Sequence, residues 1–138
     1  MTEQRNPVTS RPFAPSAEAQ AFFARRFPFE TDCWDVHAAL ALDDPGFVLL
    51  DVRNADLFQA GHVPGATHLP HWEITEERLQ SYPSDTRFVV YCAGPHCNGA
   101  QKAGLRLSCL GRPVKEMIGG MTGWIDEGYR VQEQDEAG

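Results

Sequence analysis

Arg87-Phe88-Val89-Val90-Tyr91-Cys92-Ala93-Gly94-Pro95-His96-Cys97-Asn98-Gly99-Ala100 reads as an apolar strand, a glycine-containing loop and the start of a helix. The apolar part has no polar alternation, so both of its faces must be covered, as in a parallel sheet packed under helices. Phe47-Val48-Leu49-Leu50-Asp51 repeats the pattern upstream. Between them the sequence predicts a helix over Ala55 to Ala60 stopped by Gly61, a Pro-Gly turn at His62 to Ala66, a short strand Thr67 to Leu69 and a helical turn at Glu76 to Leu79.

Downstream, Asn98 to Leu110 predicts the longest helix of the domain, closed by Gly111. Ala100, Ala103, Gly104, Leu107 and Leu110 share one face, with Lys102 and Arg106 on the other. A last strand, Val114 to Met117, precedes the Gly119-Gly120 turn and a helix from Met121 to Glu127 that carries Trp124. Asp35 is expected to cap a short helix from Val36 to Leu42, ahead of the turn Asp43-Asp44-Pro45-Gly46. The alternation of strand and helix specifies an α/β fold: a central parallel sheet flanked by helices on both faces.

Residues 1–30 are expected to form an N-terminal arm and helical extension, and residues 31–138 the domain proper. The arm holds Pro7, Pro12 and Pro15; Ser16 is the expected N-cap of a helix from Ala17 to Arg26 that Pro28 ends. Two readings of this helix stay open: packed on the domain surface, or part of a disordered tail.

A formal charge of -7 with no Lys/Arg cluster argues against a nucleic-acid partner. No apolar run approaches the ~20 residues that span a bilayer, and no apolar stretch follows Met1 to serve as a secretion signal. A cytoplasmic protein is expected, with no membrane partner, and with Cys33, Cys92, Cys97 and Cys109 as thiols by default. The oligomeric state is not legible.

In open parallel sheets ligands sit beyond the carboxyl ends of the strands. Asp51 with Arg53 marks one such end, and Cys92 the other. Gly94 and Gly99 let the loop after Cys92 curl in front of a helix N-terminus, which aims several N–H groups at one point. Such a nest binds anions and stabilises a thiolate, the nucleophilic form of cysteine. On these features alone Cys92 has two readings, a reactive nucleophile or a small core residue; on the first it is the candidate catalytic residue, with Ala93, Gly94, Pro95, His96, Cys97, Asn98 and Gly99 as the substrate-binding loop. Asp51 and Arg53 are expected to support the strand end structurally through buried hydrogen bonds and an ion pair. A zinc site from Cys92, His96, Cys97 and His71 matches no common ligand spacing, so no metal is expected.

Three motifs in order carry a resemblance. Leu50-Asp51-Val52-Arg53, Phe58, Gly61 to Ala66 and His68-Leu69-Pro70 form the first; Val90-Tyr91-Cys92 with its loop and Ala-rich helix the second; Met117 to Gly120, Trp124 and Gly128-Tyr129 the third. Over residues 31–131 the chain resembles the rhodanese-like domains, single-domain sulfurtransferases included. The resemblance implies a rhodanese-like fold and a sulfurtransferase that moves sulfane sulfur from a small donor to cyanide, a small thiol or an acceptor protein, through a persulfide on Cys92. It implies no cofactor. A rhodanese-shaped binding or sensing module without catalysis is the alternative.

The loop departs from that family's pattern. It is about two residues longer than usual, and Gly99 and Ala100 stand where an Arg or Lys, often followed by a Ser, is common. His96 is the only loop side chain able to carry positive charge, which favours a persulfide or polysulfide donor over thiosulfate. Asn98 occupies the place of the oxyanion-clamping Arg of phosphatases and arsenate reductases, and disfavours that class. Cys97 has two readings: a thiol that resolves the Cys92 persulfide into a disulfide, or one that only packs inward.

Overall fold

A computed structural model describes residues 4–134. The first residues of the expected arm and the last four of the expected domain, 1–3 and 135–138, lie outside the described residues. The fold is α/β. In chain order, α1 spans Ser16–Arg26, β1 Glu30–Asp32, α2 Cys33–Leu40, β2 Val48–Asp51, α3 Ala55–Ala60, β3 Thr67–His68, a 3₁₀ turn His71–Glu73, α4 Glu76–Leu79, β4 Phe88–Tyr91, α5 Gly99–Cys109, β5 Val114–Ile118 and α6 Gly120–Asp126. All five strands are parallel, in the order β1-β5-β4-β2-β3.

The two apolar runs are adjacent central strands. Leu50 pairs with Val90 and Asp51 with Tyr91. Alternation along β4 divides the core in two. Phe88, Val90 and Cys92 pack with Leu79 of α4 and with Ala100, Ala103 and Leu107 of α5. Val89 and Tyr91 pack on the other face, with Cys33 and Val36 of α2 and Met121 and Trp124 of α6.

Several boundaries differ from expectation. β1 has no apolar run to announce it: Glu-Thr-Asp forms an edge strand bonded only to β5, and it lies across the expected boundary between extension and domain. Asp32, not Asp35, caps α2; its carboxylate accepts from Asp35 N–H at 2.8 Å, so α2 begins at Cys33. Pro15 takes the N-cap position of α1 and Ser16 is already helical, without a side-chain cap. No residue of α1 is buried. Leu110 is exposed because α5 ends one residue before it, beyond the Ala100, Ala103, Leu107 stripe. Gly111 closes that helix at φ +77°, as a C-terminal glycine should.

A buried polar network ties the carboxyl ends of β2 and β4 together. Asp51 is fully buried and Arg53 nearly so. Arg53 donates to both carboxylate oxygens, Nε to Oδ1 at 3.0 Å and Nη2 to Oδ2 at 2.7 Å, and Nη2 also donates to Gly61 O at 2.7 Å. The Tyr91 hydroxyl donates to Asp51 Oδ2 at 2.8 Å and accepts from Val63 N–H at 3.1 Å. Burial works against the charge on Arg53, but its hydrogen bonds and ion pair with Asp51 outweigh that and hold the guanidinium protonated. Burial first, then the Asp51 carboxylate, pushes the Tyr91 phenol up, so it stays a donor.

Removing one partner leaves a buried charge alone, which costs far more than the pair contributes. Arg53→Met is expected to lower unfolding stability by about 3–5 kcal/mol, and Tyr91→Phe by about 1–3 kcal/mol. Urea unfolding measures both, and an Arg53→Met loss below that of Tyr91→Phe would contradict the network as described.

Candidate active site

Cys92 follows the last residue of β4 and is almost completely buried. Backbone from two helices closes on it. Met121 N–H donates to Cys92 O and Thr122 N–H to Ala93 O, both at 2.9 Å, and the Thr122 hydroxyl adds a bond to Ala93 O. The first turn of α6 thus pins the strand end and the first loop residue. Gly120 is at φ +57°, and a Cβ there would lie 2.5 Å from Cys92 O. On the other side, a Cβ on Gly99 would lie 2.7 Å from Cys92 Sγ. Glycine is required at Gly120 by backbone contacts and a positive φ, whereas a Cβ at Gly99 would force the Cys92 sulfur to shift.

The loop places its members unequally. Gly94 and Gly99 are buried, Ala93 and Cys97 half-buried, and Pro95, His96 and Asn98 exposed. Cys97 turns inward and forms a disulfide with Cys92, with Cα atoms 6.5 Å apart. The expectation of four thiols is therefore corrected: Cys33 and Cys109 are free, and the curl of the loop brings the other two together. Cys109 is exposed; Cys33 is buried, and burial followed by Asp32 and Glu127 pushes its thiol up to about 11, which disfavours the thiolate at neutral pH.

The expected arc of amides around residue 92 is also changed. Cys97 N–H closes a turn on Gly94 O at 3.0 Å, and Gly99 N–H points at Cys97 Sγ at 3.4 Å. With the disulfide closed, the second sulfur occupies the spot that the Gly99 amide faces. Asn98 sits at the N-cap of α5, and its side chain makes no cap hydrogen bond to the helix.

Cys92 and Cys97 line a cavity of about 260 Å³ at the carboxyl ends of the strands. Asp51 and Arg53 are not among its lining residues; Gln101, Glu116, Arg26 and Glu30 are. None of those four stood out in the sequence, since each is an isolated charged or amide residue outside the loop. A larger hollow of about 710 Å³ lies at the opposite ends of β2 and β4, around Phe47, Arg87 and Lys115. It lacks the cysteines and sits at the end of a parallel sheet where ligands are not usually bound.

His71 stands beside the cysteines; its Cδ2 would be 3.4 Å from a Cβ on Gly99. Its Nδ1 is buried with no hydrogen-bond partner, and its ring packs edge-on against Trp72 at 4.9 Å. Burial, then Lys102 and Arg106, lowers its pKa, so it is neutral at pH 7. Among the described residues no three His, Cys, Asp or Glu side chains are disposed to hold a metal ion, and no helix is long and apolar enough to cross a membrane.

A family model described as the rhodanese-like domain matches residues 36–127. The chain belongs to the rhodanese-like domain family. Over 87 residues this rhodanese-like chain is 36% identical to a thiosulfate sulfurtransferase GlpE of Pseudomonas savastanoi, covering 62% of this chain and 79% of that protein. Over 93 residues it is 38% identical to the HTH-type transcriptional regulator Rv0324 of Mycobacterium tuberculosis, covering 63% of this chain but only 41% of the regulator. The solved structure of the BH2092 protein from Bacillus halodurans matches with a TM-score of 0.82 at 32% identity, over 86% of this chain and 87% of that one. The rhodanese-like fold expected from the sequence motifs is borne out.

Two outcomes check the site. The unreduced, denatured chain is expected to show two titratable thiols, Cys33 and Cys109, and four after reduction; four before reduction would contradict the pairing. Gly99→Ala is expected to destabilise the reduced protein by about 1–3 kcal/mol in urea unfolding, as overpacking does. Unchanged stability would mean that the Cys92 sulfur can swing away freely.

Proposed function

We propose that the protein is a sulfurtransferase that carries sulfane sulfur on Cys92 between a small donor and a thiol or cyanide acceptor. The observation that carries this reading is the bond between Cys92 and Cys97 inside the cavity. A site that accommodates a second sulfur on Cys92 Sγ has the room that a persulfide needs, once the loop thiol is reduced and moves out. The likeness to the thiosulfate sulfurtransferases supports it.

The transfer balances without any further group. The Cys92 thiolate attacks the outer sulfur of a persulfide R–S–SH, a new S–S bond forms on Cys92, and R–S⁻ leaves with the electron pair of the broken bond. An acceptor thiolate or cyanide then takes the outer sulfur and returns the Cys92 thiolate. Cys97 offers a second exit: its thiolate attacks Cys92 Sγ, the disulfide forms, and sulfide departs. Sulfur is reduced and the two thiols are oxidised, so a reductant must reopen the pair before the next cycle. The reading therefore suits a reducing compartment such as the cytoplasm.

One observation favours a second reading. The regulator of Mycobacterium tuberculosis matches this chain over part of its length, so a sensing module that switches between dithiol and disulfide is the competitor.

Pre-reduced protein incubated with a persulfide or polysulfide donor is expected to gain ~32 Da on the Cys92 peptide, and Cys92→Ser to gain nothing. Cys97→Ser is expected to lengthen the life of the Cys92 persulfide at least severalfold. Intact-mass time courses read both. An unchanged lifetime removes Cys97 from the chemistry, and no sulfur uptake from any donor leaves the sensing module.

A further inference from the structure

The cavity at Cys92 is not built by the loop alone. Its far side comes from the N-terminal extension and the edge of the sheet: Arg26 at the end of α1, Glu30 at the start of β1, and Glu116 with Gln101 beside them. Arg26 Nη2 donates to Glu30 Oε2 at 2.9 Å, and Gln101 Nε2 donates to Glu116 Oε1 at 2.6 Å. Glu30 and Glu116 are direct register partners on β1 and β5. One guanidinium therefore shares a small cavity with two carboxylates, and the reactive cysteines lie at the other side.

That composition selects among donors. Thiosulfate is a dianion; it would meet a single cation already engaged by Glu30, and two carboxylates that repel it. An uncharged donor would desolvate all three charged groups and satisfy none. A zwitterion satisfies both signs. Arg26 has further N–H donors beyond those facing Glu30 and takes a carboxylate; Glu30 and Glu116 take an ammonium. Burial first, and Glu30 as well, raise the Glu116 pKa, and both are penalties that a neighbouring cation would relieve. The volume, about 260 Å³, is enough for an amino-acid head group.

We infer that Arg26, Glu30 and Glu116 form a subsite for the α-amino and α-carboxyl groups of an amino-acid persulfide, such as cysteine persulfide, and so set the donor preference of Cys92. This rests on the sulfurtransferase reading above. The bonds broken and formed are those given there; the leaving group is the free amino-acid thiolate.

The experiment uses the full chain, pre-reduced, with three donors: cysteine persulfide, the persulfide of N-acetylcysteine methyl ester, which has no charged head group, and thiosulfate. The rate of sulfur appearing on Cys92 is read by mass over a range of donor concentration. The wild type is expected to favour the zwitterion over the uncharged persulfide by about tenfold or more in kcat/KM, the scale of a charge-assisted hydrogen bond. Arg26→Ala and Glu30→Gln are each expected to bring that ratio close to one, and Arg26→Lys to keep part of it. Glu30→Gln, which frees Arg26, is also expected to raise the rate with thiosulfate. A wild type that prefers thiosulfate or the uncharged persulfide overturns the subsite, as does a ratio that survives in both Arg26→Ala and Glu30→Gln. Should no donor load Cys92 at all, the sulfurtransferase reading itself falls, a result distinct from loading without discrimination.

Discussion

Cys92 is gripped by backbone that has no room for a Cβ. Gly99 presses against its sulfur and Gly120 against its carbonyl, while the Met121 amide holds that same carbonyl by a hydrogen bond. One residue thus joins the end of β4, the start of α5 and the start of α6. Cys92 also lines the cavity that it shares with Cys97.

Strand alternation assigns different work to adjacent residues. Tyr91 faces away from Cys92 and enters the Asp51–Arg53 network, which fixes the carboxyl ends of β2 and β4 and, through Gly61 and Val63, the turn after α3. That network is dense in hydrogen bonds, and Asp51 and Arg53 do not line the cavity. The cysteine face is the opposite: His71 Nδ1 lacks a partner, Asn98 does not cap its helix, and the sulfur of residue 92 is bound to a loop thiol that can leave. One side is tied by buried hydrogen bonds, and the other holds the unpartnered groups and the cysteine pair.

The apolar runs at 48–51 and 88–91 announced their strands because burial on both faces leaves no polar residue in them. β1 was silent for the converse reason. An edge strand of three residues pairs along one side only, so Glu30-Thr31-Asp32 needs no apolar signature. Cys92 and its loop were legible from strand-end position and from glycine content. The disulfide was not, because a five-residue separation says nothing about which way Cys97 turns. Nor was the charged side of the cavity: the cation sought in the loop is supplied by Arg26, which reaches the site only because β1 pairs with β5 and carries the end of α1 to the same edge. A lone Arg followed four residues later by a Glu gives no such hint on its own.

The most direct measurement is a crystal structure of the pre-reduced protein after exposure to a persulfide donor. A single extra sulfur is expected about 2.05 Å from Cys92 Sγ, directed into the cavity, with Cys97 unbonded and displaced. An unmodified Cys92, or the added sulfur on Cys97 instead, would contradict it.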